Sequence, residues 1–288
     1  MKELYYKVAG HVFALKTNCY EHIVSSLSQY EPFATKPTED TMFRLSINNA
    51  PFAMIGFTIE VEQEDEGQVI KAGHIGEKPC FQFFHKDRLK TVLVCSADYK
   101  VGEMYSENTN EFCINNALMV MYALSTANKQ TALFHSSVVS HKGKAYMFLG
   151  PSGTGKSTHS SLWLKYIEGT ELVNDDNPVV RVHEDGSIIV YGSPWSGKTP
   201  CYRNVSYPLG AIVELRQAPE NIICRLRPLQ AYAALMNSIS GKRWDSRMAE
   251  GLHMTENLIT TKAPIWHLDC LPDEAAARLC ERNVCNEE

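Results

Sequence analysis

The sequence predicts a mixed α/β domain with a partly antiparallel sheet, preceded by a β-rich N-terminal domain. Residues 1–107 carry short alternating or apolar segments separated by turn signals, which is typical of consecutive strands. Residues 145–167 have the pattern of a strand, a glycine-rich loop and a helix. Downstream of residue 170, neighbouring strands are joined by short turns, which favours antiparallel pairing over a doubly wound parallel sheet.

Length, charge and cysteine content limit the class of protein. The 288 residues allow two modest domains, which we place at 1–107 and 108–288. A net charge of −5 argues against a nucleic-acid partner, and the lack of a long apolar run argues against a membrane partner. The N-terminus lacks the apolar block of a signal peptide, and the nine cysteines include no C-x-x-C pair. We therefore expect a cytoplasmic protein with reduced thiols.

The N-terminal domain is predicted to consist mainly of strands. No group of residues in it has the spacing of a catalytic site, so we expect it to pack, dimerise or present a substrate. The predicted strands are residues 4–9, 11–15, 41–47, 54–62, 68–75, 81–85 and 91–96.

The second domain is predicted to begin with a helix over residues 112–127, because apolar residues recur there at helical spacing. Further helices are predicted over residues 229–236, 244–258 and 272–282. The predicted strands are residues 131–139, 145–149, 171–176, 179–182, 188–191, 209–215, 221–226 and 264–269.

The strongest functional signal is a glycine-rich segment that fits the pattern G-x-x-x-x-G-K-[ST]. In such a loop the glycines let backbone N–H groups surround phosphate oxygens, and the following helix N-terminus adds partial positive charge. Lys156 can reach the β- and γ-phosphates of ATP, and the Ser157 hydroxyl can ligate Mg²⁺. The alternative is a turn without a ligand. The predicted nucleotide-binding residues are Gly150, Pro151, Ser152, Gly153, Thr154, Gly155, Lys156, Ser157 and Thr158.

A pair of acids, Asp175 and Asp176, ends an apolar strand downstream of this loop. Phosphoryl transfer needs a carboxylate near Mg²⁺ and a group that accepts the nucleophile's proton. Adjacent residues of a strand point to opposite sides, so the two carboxylates can divide these tasks. The sequence does not decide which acid is the base and which is the metal ligand. A turn formed by two acids without a catalytic role is the alternative.

Residues 192–199 fit the same glycine pattern a second time, but no helical period follows them. Without a helix N-terminus we do not expect a second phosphate cradle. One interpretation is an active-site loop in which Lys198 or Arg203 contacts the transferred phosphate or the substrate, since cations are needed where phosphoryl charge spreads. The other interpretation is a surface loop that matches by chance.

Three segments together resemble a known family: FHSSVV at 134–139, the glycine pattern at 150–157, and LVNDD at 172–176. They look like the C-terminal catalytic domain of HPr kinase/phosphorylase, whose nucleotide fold is shared with ATP-dependent phosphoenolpyruvate carboxykinase. The resemblance covers residues 130–180 well and does not include residues 1–107. The family's glycine-rich signature after the aspartates has no match here, so HPr and phosphorylase activity are not implied.

The resemblance implies roles for individual residues. Lys156 and Ser157 would hold phosphates and Mg²⁺, one acid of the pair would be the general base, and the other would be a metal-associated carboxylate. His135 would lie near the acids or the γ-phosphate and adjust their proton affinity, whereas its pattern alone favours a hydrogen-bonded strand histidine. The resemblance also implies that the chain can form a homo-oligomer.

These observations predict a Mg²⁺- and ATP-dependent kinase that transfers the γ-phosphoryl group to a hydroxyl. The acceptor would be a serine of a protein or peptide, or a small metabolite. A nucleotide-binding regulator without catalysis is a second hypothesis, which the intact acid pair disfavours. A carboxykinase-like enzyme is a third, for which 288 residues is short.

Overall fold

The computed structural model describes residues 2–18, 20–53, 55–65, 67–197 and 199–285. The chain divides into two compact units, Met1–Ser125 and Thr126–Glu288. Both contain helices and a mixed sheet, and strands dominate the first unit. The prediction of a mixed α/β fold with a β-rich N-terminal part is therefore confirmed. None of the helices in the described ranges has the length and apolar character that a membrane crossing requires.

In the first unit, strands supply most of the regular structure. Its helices are α1 (Tyr20–Ser25), a 3-10 helix (Ser28–Phe33) and α2 (Glu111–Thr126). The strands are β1 (Lys2–Val8), β2 (His11–Thr17), β3 (Phe43–Asn48), β4 (Phe57–Asp65), β5 (Gln68–Ile75), β6 (Lys78–His85), β7 (Arg88–Cys95) and β8 (Val101–Tyr105). Strand β8 was not predicted, because its short run includes a glycine and two exposed residues.

Within the described residues these strands form one sheet in the order β1-β2-β3-β8-β7-β6-β5-β4, with parallel pairs on both sides of β3. Its core includes Phe13 and Phe43, whose rings stack 5.0 Å apart. Helix α2 is bound to the sheet by the Tyr122 hydroxyl, which donates to the Val8 carbonyl at 3.0 Å. All but the last residue of α2 therefore falls in the first unit, whereas the sequence analysis placed this helix in the second domain.

The second unit alternates strands and helices. Its helices are α3 (Lys156–Tyr166), α4 (Pro228–Met236), α5 (Ser246–Lys262) and α6 (Glu274–Val284). The strands are β9 (Thr131–Leu133), β10 (Ser136–His141), β11 (Lys144–Leu149), β12 (Glu171–Asp176), β13 (Val179–Val182), β14 (Ile188–Tyr191), β15 (Ser206–Gln217), β16 (Ile222–Arg225) and β17 (Ile265–Cys270).

As far as the structure describes them, these strands form a single mixed sheet. The main path is β12-β10-β11-β15-β14-β13-β9, and β17 pairs with the long strand β15. Strand β11 is parallel to β15 and antiparallel to β10, and β12 is antiparallel to β10. The carboxyl ends of β11 and β12 and the start of β10 therefore lie at one edge of the sheet.

Helices α3 and α6 cover one face of this sheet. Phe148 of β11 and Val213 of β15 face them, and both are fully buried. Trp163 of α3 fills the space between the helix and the sheet, with its ring 5.6 Å from that of Phe148. Burial of one such aromatic side chain stabilises a fold by about 3–5 kcal/mol relative to alanine. The packing thus fixes where α3 begins, at the same edge of the sheet.

Candidate functional site

The position of His135 results from a break in a segment that was predicted as one strand. The run of residues 131–139 divides into β9 and β10, which lie at different places in the sheet. Between them, the His135 N–H donates to the Ser238 carbonyl at 2.7 Å, and Phe134 forms a bridge with Ile239. Because these partners are about a hundred residues downstream, local sequence patterns do not reveal the break. It leaves His135 at the sheet edge where β11 ends.

Residues 150–155, here called the glycine loop, connect β11 to α3. Gly150, Gly153 and Gly155 have φ angles of 147°, 78° and 105°, which side-chain-bearing residues rarely adopt. The N-cap of α3 is Gly155, and no side chain caps the helix. The first N–H groups of any α-helix lack intrahelical acceptors, so this helix end presents donors and partial positive charge.

Gln217, at the end of β15, is a contact of the glycine loop that sequence reasoning missed. Its side-chain amide donates to the carbonyls of Gly153 and Thr154, at 3.1 and 3.3 Å. These bonds supply donors to two loop carbonyls and join the glycine loop to the end of β15. No motif marks Gln217, because its partners lie more than sixty residues away in sequence.

A hydrogen-bonded series joins the glycine loop to the acid pair of Asp175 and Asp176. The Lys156 ammonium lies 2.8 Å from the Gly150 carbonyl and 2.9 Å from His135 Nε2. The other ring nitrogen of His135, Nδ1, lies 3.1 Å from Asp176 Oδ1. The structure thus brings Lys156, His135 and Asp176 together. His135 and Asp176 are 41 positions apart in the sequence, and the pairing of β10 with β12 brings them close.

The direction of these bonds fixes the state of the imidazole. An ammonium can only donate, so His135 Nε2 accepts from Lys156. A carboxylate can only accept, so Nδ1 carries the proton and donates to Asp176. His135 is therefore neutral in this arrangement, with one ring nitrogen committed to each neighbour.

Asp175 lies on the other side of its strand. It is directly opposite Ser137 of β10, and the Ser137 hydroxyl contacts that of Ser160 in α3 at 2.6 Å. Directly opposed residues of paired strands project to the same face, so Asp175 faces the side covered by α3. Its side chain is 5 % exposed, and no donor among the described residues bonds to its carboxylate. A buried carboxylate without a bonded donor is costly unless a cation or a proton compensates its charge.

Residues 192–199, here called the second glycine segment, contact the acid pair through Ser196 and Gly197. The Gly197 N–H donates to the Asp175 carbonyl at 2.8 Å, and Ser196 forms a bridge with Asp176. Asp176 has a φ of 156°, an uncommon value for a non-glycine residue. No helix follows the segment, as predicted, and β15 begins at Ser206. Lys198 lies outside the described residues.

Arg203, the other predicted phosphate contact, lies elsewhere. Its guanidinium donates to Glu171 at 2.7 Å and to the Leu172 carbonyl at 2.6 Å. The hydrogen bond to Glu171 raises the pKa of Arg203. Glu171 and Asp176 are the two ends of β12, about 16 Å apart at the usual rise per strand residue. The structure therefore does not bring Arg203 to the acid pair, because its nearest partner is at the opposite strand end.

Ser157 and Thr158, the remaining predicted ligands, lie in the first turn of α3, and their side chains are exposed. Beside this turn is a cavity of about 520 Å³, within the ~300–1,000 Å³ of small-molecule sites. Its walls include Leu162, Pro219 and Pro272, which are apolar. The sequence contains no signal for it, because the walls come from three separate segments.

Comparison with known proteins gives a family. Residues 94–262 match the model of the family described as SynChlorMet cassette protein ScmC, which is more than half of the 288 residues. The match overturns the assignment to HPr kinase/phosphorylase, which rested on short segments within residues 134–176. Such segments record a local arrangement of strand, loop and acids, and this arrangement does not define a family. No curated protein matches the chain.

Proposed function

The chain belongs to the ScmC family, and we propose that it is a Mg²⁺- and ATP-dependent phosphotransferase, a kinase acting on a hydroxyl group. The observation that carries this proposal is the series from Lys156 through His135 to Asp176. It couples a cation at a helix start to an acid on a neighbouring strand. Phosphoryl transfer needs both groups, one to hold the γ-phosphate and one to manage the acceptor's proton.

In this proposal the glycine loop is a P-loop, and residues 150–158 surround the β- and γ-phosphates. The uncapped start of α3 supports this role, since its N–H groups need acceptors and phosphate oxygens supply them. Gln217 would keep the carbonyls of Gly153 and Thr154 turned away from the phosphates. The loop would then present N–H groups and few carbonyls to an anion.

Lys156 would move from its loop carbonyls and His135 to the bound γ-phosphate, because a phosphate oxygen is the stronger acceptor. His135 Nε2 would then lose its donor and become able to accept a proton. We assign the pair of His135 and Asp176 as the general base toward the acceptor hydroxyl. Asp176, bonded to Nδ1, would stabilise the imidazolium that forms. The base would therefore be completed only when the phosphate is present.

Asp175 would hold Mg²⁺ together with Ser157. Its position on the α3 side of the sheet, its burial and the lack of a bonded donor among the described residues support this assignment. Mg²⁺ binds through one or two carboxylates plus phosphate oxygens and water. When bound, it would neutralise charge on the transferred group. The two acids thus divide their tasks between the faces of β12.

The cavity beside the first turn of α3 would receive the nucleoside part of ATP. Its apolar walls, which include Leu162 and Pro219, suit the faces of a base. The second glycine segment, which lies against the acid pair on another side, would contact the acceptor. A serine of a protein or peptide and a small hydroxyl compound are both compatible with this arrangement.

The test is ATP turnover with purified full-length protein, Mg²⁺ and a panel of hydroxyl acceptors. We expect Asp176→Ala to lower turnover by about 10²–10⁴-fold, the range lost with a general base. Asp185→Ala is the matched control, since the hydrogen bonds of this exposed turn acid go to Ser187 among the residues that the structure describes. Turnover that is equal in wild type and Asp176→Ala would overturn the proposal. ATP binding without turnover in the wild type would favour a nucleotide-binding regulator.

A further inference from the structure

A second group of chemically reactive side chains lies far from the glycine loop. His141 ends β10, Glu281 lies on α6, and Cys285 caps the C-terminus of that helix. Their ligand atoms all lie within 4.8 Å of one another, and His141 Nε2 is 3.8 Å from Glu281 Oε1. Glu281 and Cys285 are four positions apart, so they share one side of the helix. This group, here called the His–Glu–Cys cluster, lies about 20 Å from His135 along β10.

His141 is the unusual member of the cluster. The residue is 5 % exposed, and neither ring nitrogen meets the distance and angle of a hydrogen bond to a described residue, although the Gly169 backbone lies close by. Nearly all buried polar groups in native proteins are hydrogen-bonded, because an unpaired one is costly. The Trp163 ring, at 6.1 Å and edge-on, offers no acceptor. A ligand for one of these nitrogens would remove the cost.

The donor set is that of a zinc site. Imidazole, thiolate and carboxylate are the ligands of Zn²⁺, at about 2.0–2.3 Å from the ion. In a tetrahedron of that size the donors are about 3.3–3.8 Å apart. The 3.8 Å between His141 and Glu281 already fits, and Cys285 needs a shift of about an ångström. Mg²⁺ and Ca²⁺ prefer oxygen donors and would not select this set.

One positive group competes for the same carboxylate. Lys142 Nζ lies 3.4 Å from Glu281 Oε1 and is mostly exposed. An exposed pair of this kind contributes about 0–1 kcal/mol to stability, so an ion can displace the lysine easily. Lys142 therefore offers a variant that separates an ion site from a simple ion pair.

We propose that His141, Glu281 and Cys285 bind Zn²⁺, with a fourth position open to water or another ligand. The ion joins α6 to the end of β10, and so fastens the C-terminal helix to the sheet. Because the cluster is distant from the acid pair, the ion takes no part in the proposed phosphoryl transfer. The two proposals can therefore fail independently.

The experiment is a Co²⁺ titration of chelator-treated full-length protein under reducing conditions. Co²⁺ replaces Zn²⁺ and gives a thiolate-to-cobalt band in the near ultraviolet, with visible bands typical of four-coordination. We expect one equivalent to bind, and Zn²⁺ to displace it and raise the Tm. Zinc should also protect Cys285 from alkylation. A wild-type protein without the thiolate band, or without a Tm increase, would contradict the proposal.

Variants identify the ligands. Cys285→Ser, a nearly isosteric change at a half-buried position, should abolish the thiolate band and weaken Co²⁺ binding by more than the roughly 10–100-fold lost with an outer-shell partner. His141→Asn should weaken it similarly, and Lys142→Ala should leave it unchanged or tighter. Cys224→Ser, at an exposed cysteine of strand β16, is the control. Retention of the band in Cys285→Ser would overturn the assignment.

Discussion

The chain contains the pattern G-x-x-x-x-G-K-[ST] twice, and the two copies take different structures. Residues 150–157 connect the buried strand β11 to α3, so the lysine of the pattern, Lys156, is the first residue of a helix. Residues 192–197 follow β14 without regular structure, and the next element in the described chain is the strand β15. The two glycines of the pattern recur in both copies, but Gly150 and Gly155 have positive φ angles and Gly192 and Gly197 do not. Only the first copy continues into a helix. A shared glycine spacing therefore does not by itself produce the backbone turn and the helix N-terminus that suit a phosphate.

The two copies also differ in what they contact. The first contributes Lys156 to the series with His135 and Asp176. The second supplies backbone contacts to the same acids through Ser196 and Gly197. In our proposal one copy holds the donor nucleotide and the other borders the acceptor. The first copy therefore reaches the acid pair through His135, and the second contacts it directly.

The largest expected difference concerns the two lysines of these copies. Lys156→Ala should lower ATP turnover by about 10²–10³-fold, as loss of a positioned charge-stabilising donor does. Lys198→Ala should lower it by about tenfold at most, because the next element after it in the described residues is a strand and not a helix. Steady-state kinetics on both variants, with circular dichroism to verify folding, measures the difference. Equal losses of turnover in the two variants would show that the helix start does not distinguish the two copies.

The second expected difference concerns acid stability and depends on α3, which the second copy lacks. His159 of α3 is buried, and burial lowers its pKa from 6.5 to about 4. A histidine whose pKa falls on folding stabilises the fold above pH 6.5, and the contribution is lost as the pH falls toward 4. The loss at pH 5 is about 2 kcal/mol.

His159→Gln removes this titration and keeps an acceptor for the Trp163 indole, which donates to the histidine at 3.1 Å. Urea unfolding at pH 7 and pH 5 should show a smaller decrease for the variant than for the wild type. His74→Gln, at a partly exposed histidine of the first unit that lies 3.2 Å from Glu60, is the control. An unchanged pH dependence in His159→Gln would show that α3 does not control acid stability.

Much of the fold follows from local patterns, and the departures have physical causes. Turn residues and the alternation of apolar and polar residues predicted most strands, because both patterns involve residues that are neighbours in the sequence. The break at His135 depends on Ser238, and the position of Arg203 depends on Glu171; both partners are distant in sequence. The series of Lys156, His135 and Asp176 was expected only in part, since the sequence indicates the residue types and the sheet pairing decides which side each one faces.

The smallest expected effect concerns the fit of the second copy against the acids. A Cβ on Gly197 would lie 3.2 Å from the Asp175 carbonyl oxygen and 3.2 Å from Asp176 Cβ, so the neighbours must move by a few tenths of an ångström. Gly197→Ala should lower turnover by about tenfold, because misplacement by a fraction of an ångström is costly in catalysis. Gly143→Ala, where nothing lies within 4 Å and only a φ of 76° opposes the side chain, is the control for a general loss of stability. Unchanged turnover in Gly197→Ala would show that the fit of the second copy against the acids does not affect the reaction.

The central claim is that ATP binds at the start of α3 with its terminal phosphate toward the acid pair. A crystal structure with Mg²⁺ and a non-hydrolysable ATP analogue tests it most directly. We predict the β- and γ-phosphates on the N–H groups of residues 152–157, with Mg²⁺ between Ser157 and Asp175 and the Lys156 ammonium moved from His135 to the γ-phosphate. A nucleotide bound elsewhere, or a glycine loop that stays empty at saturating analogue, would contradict the account.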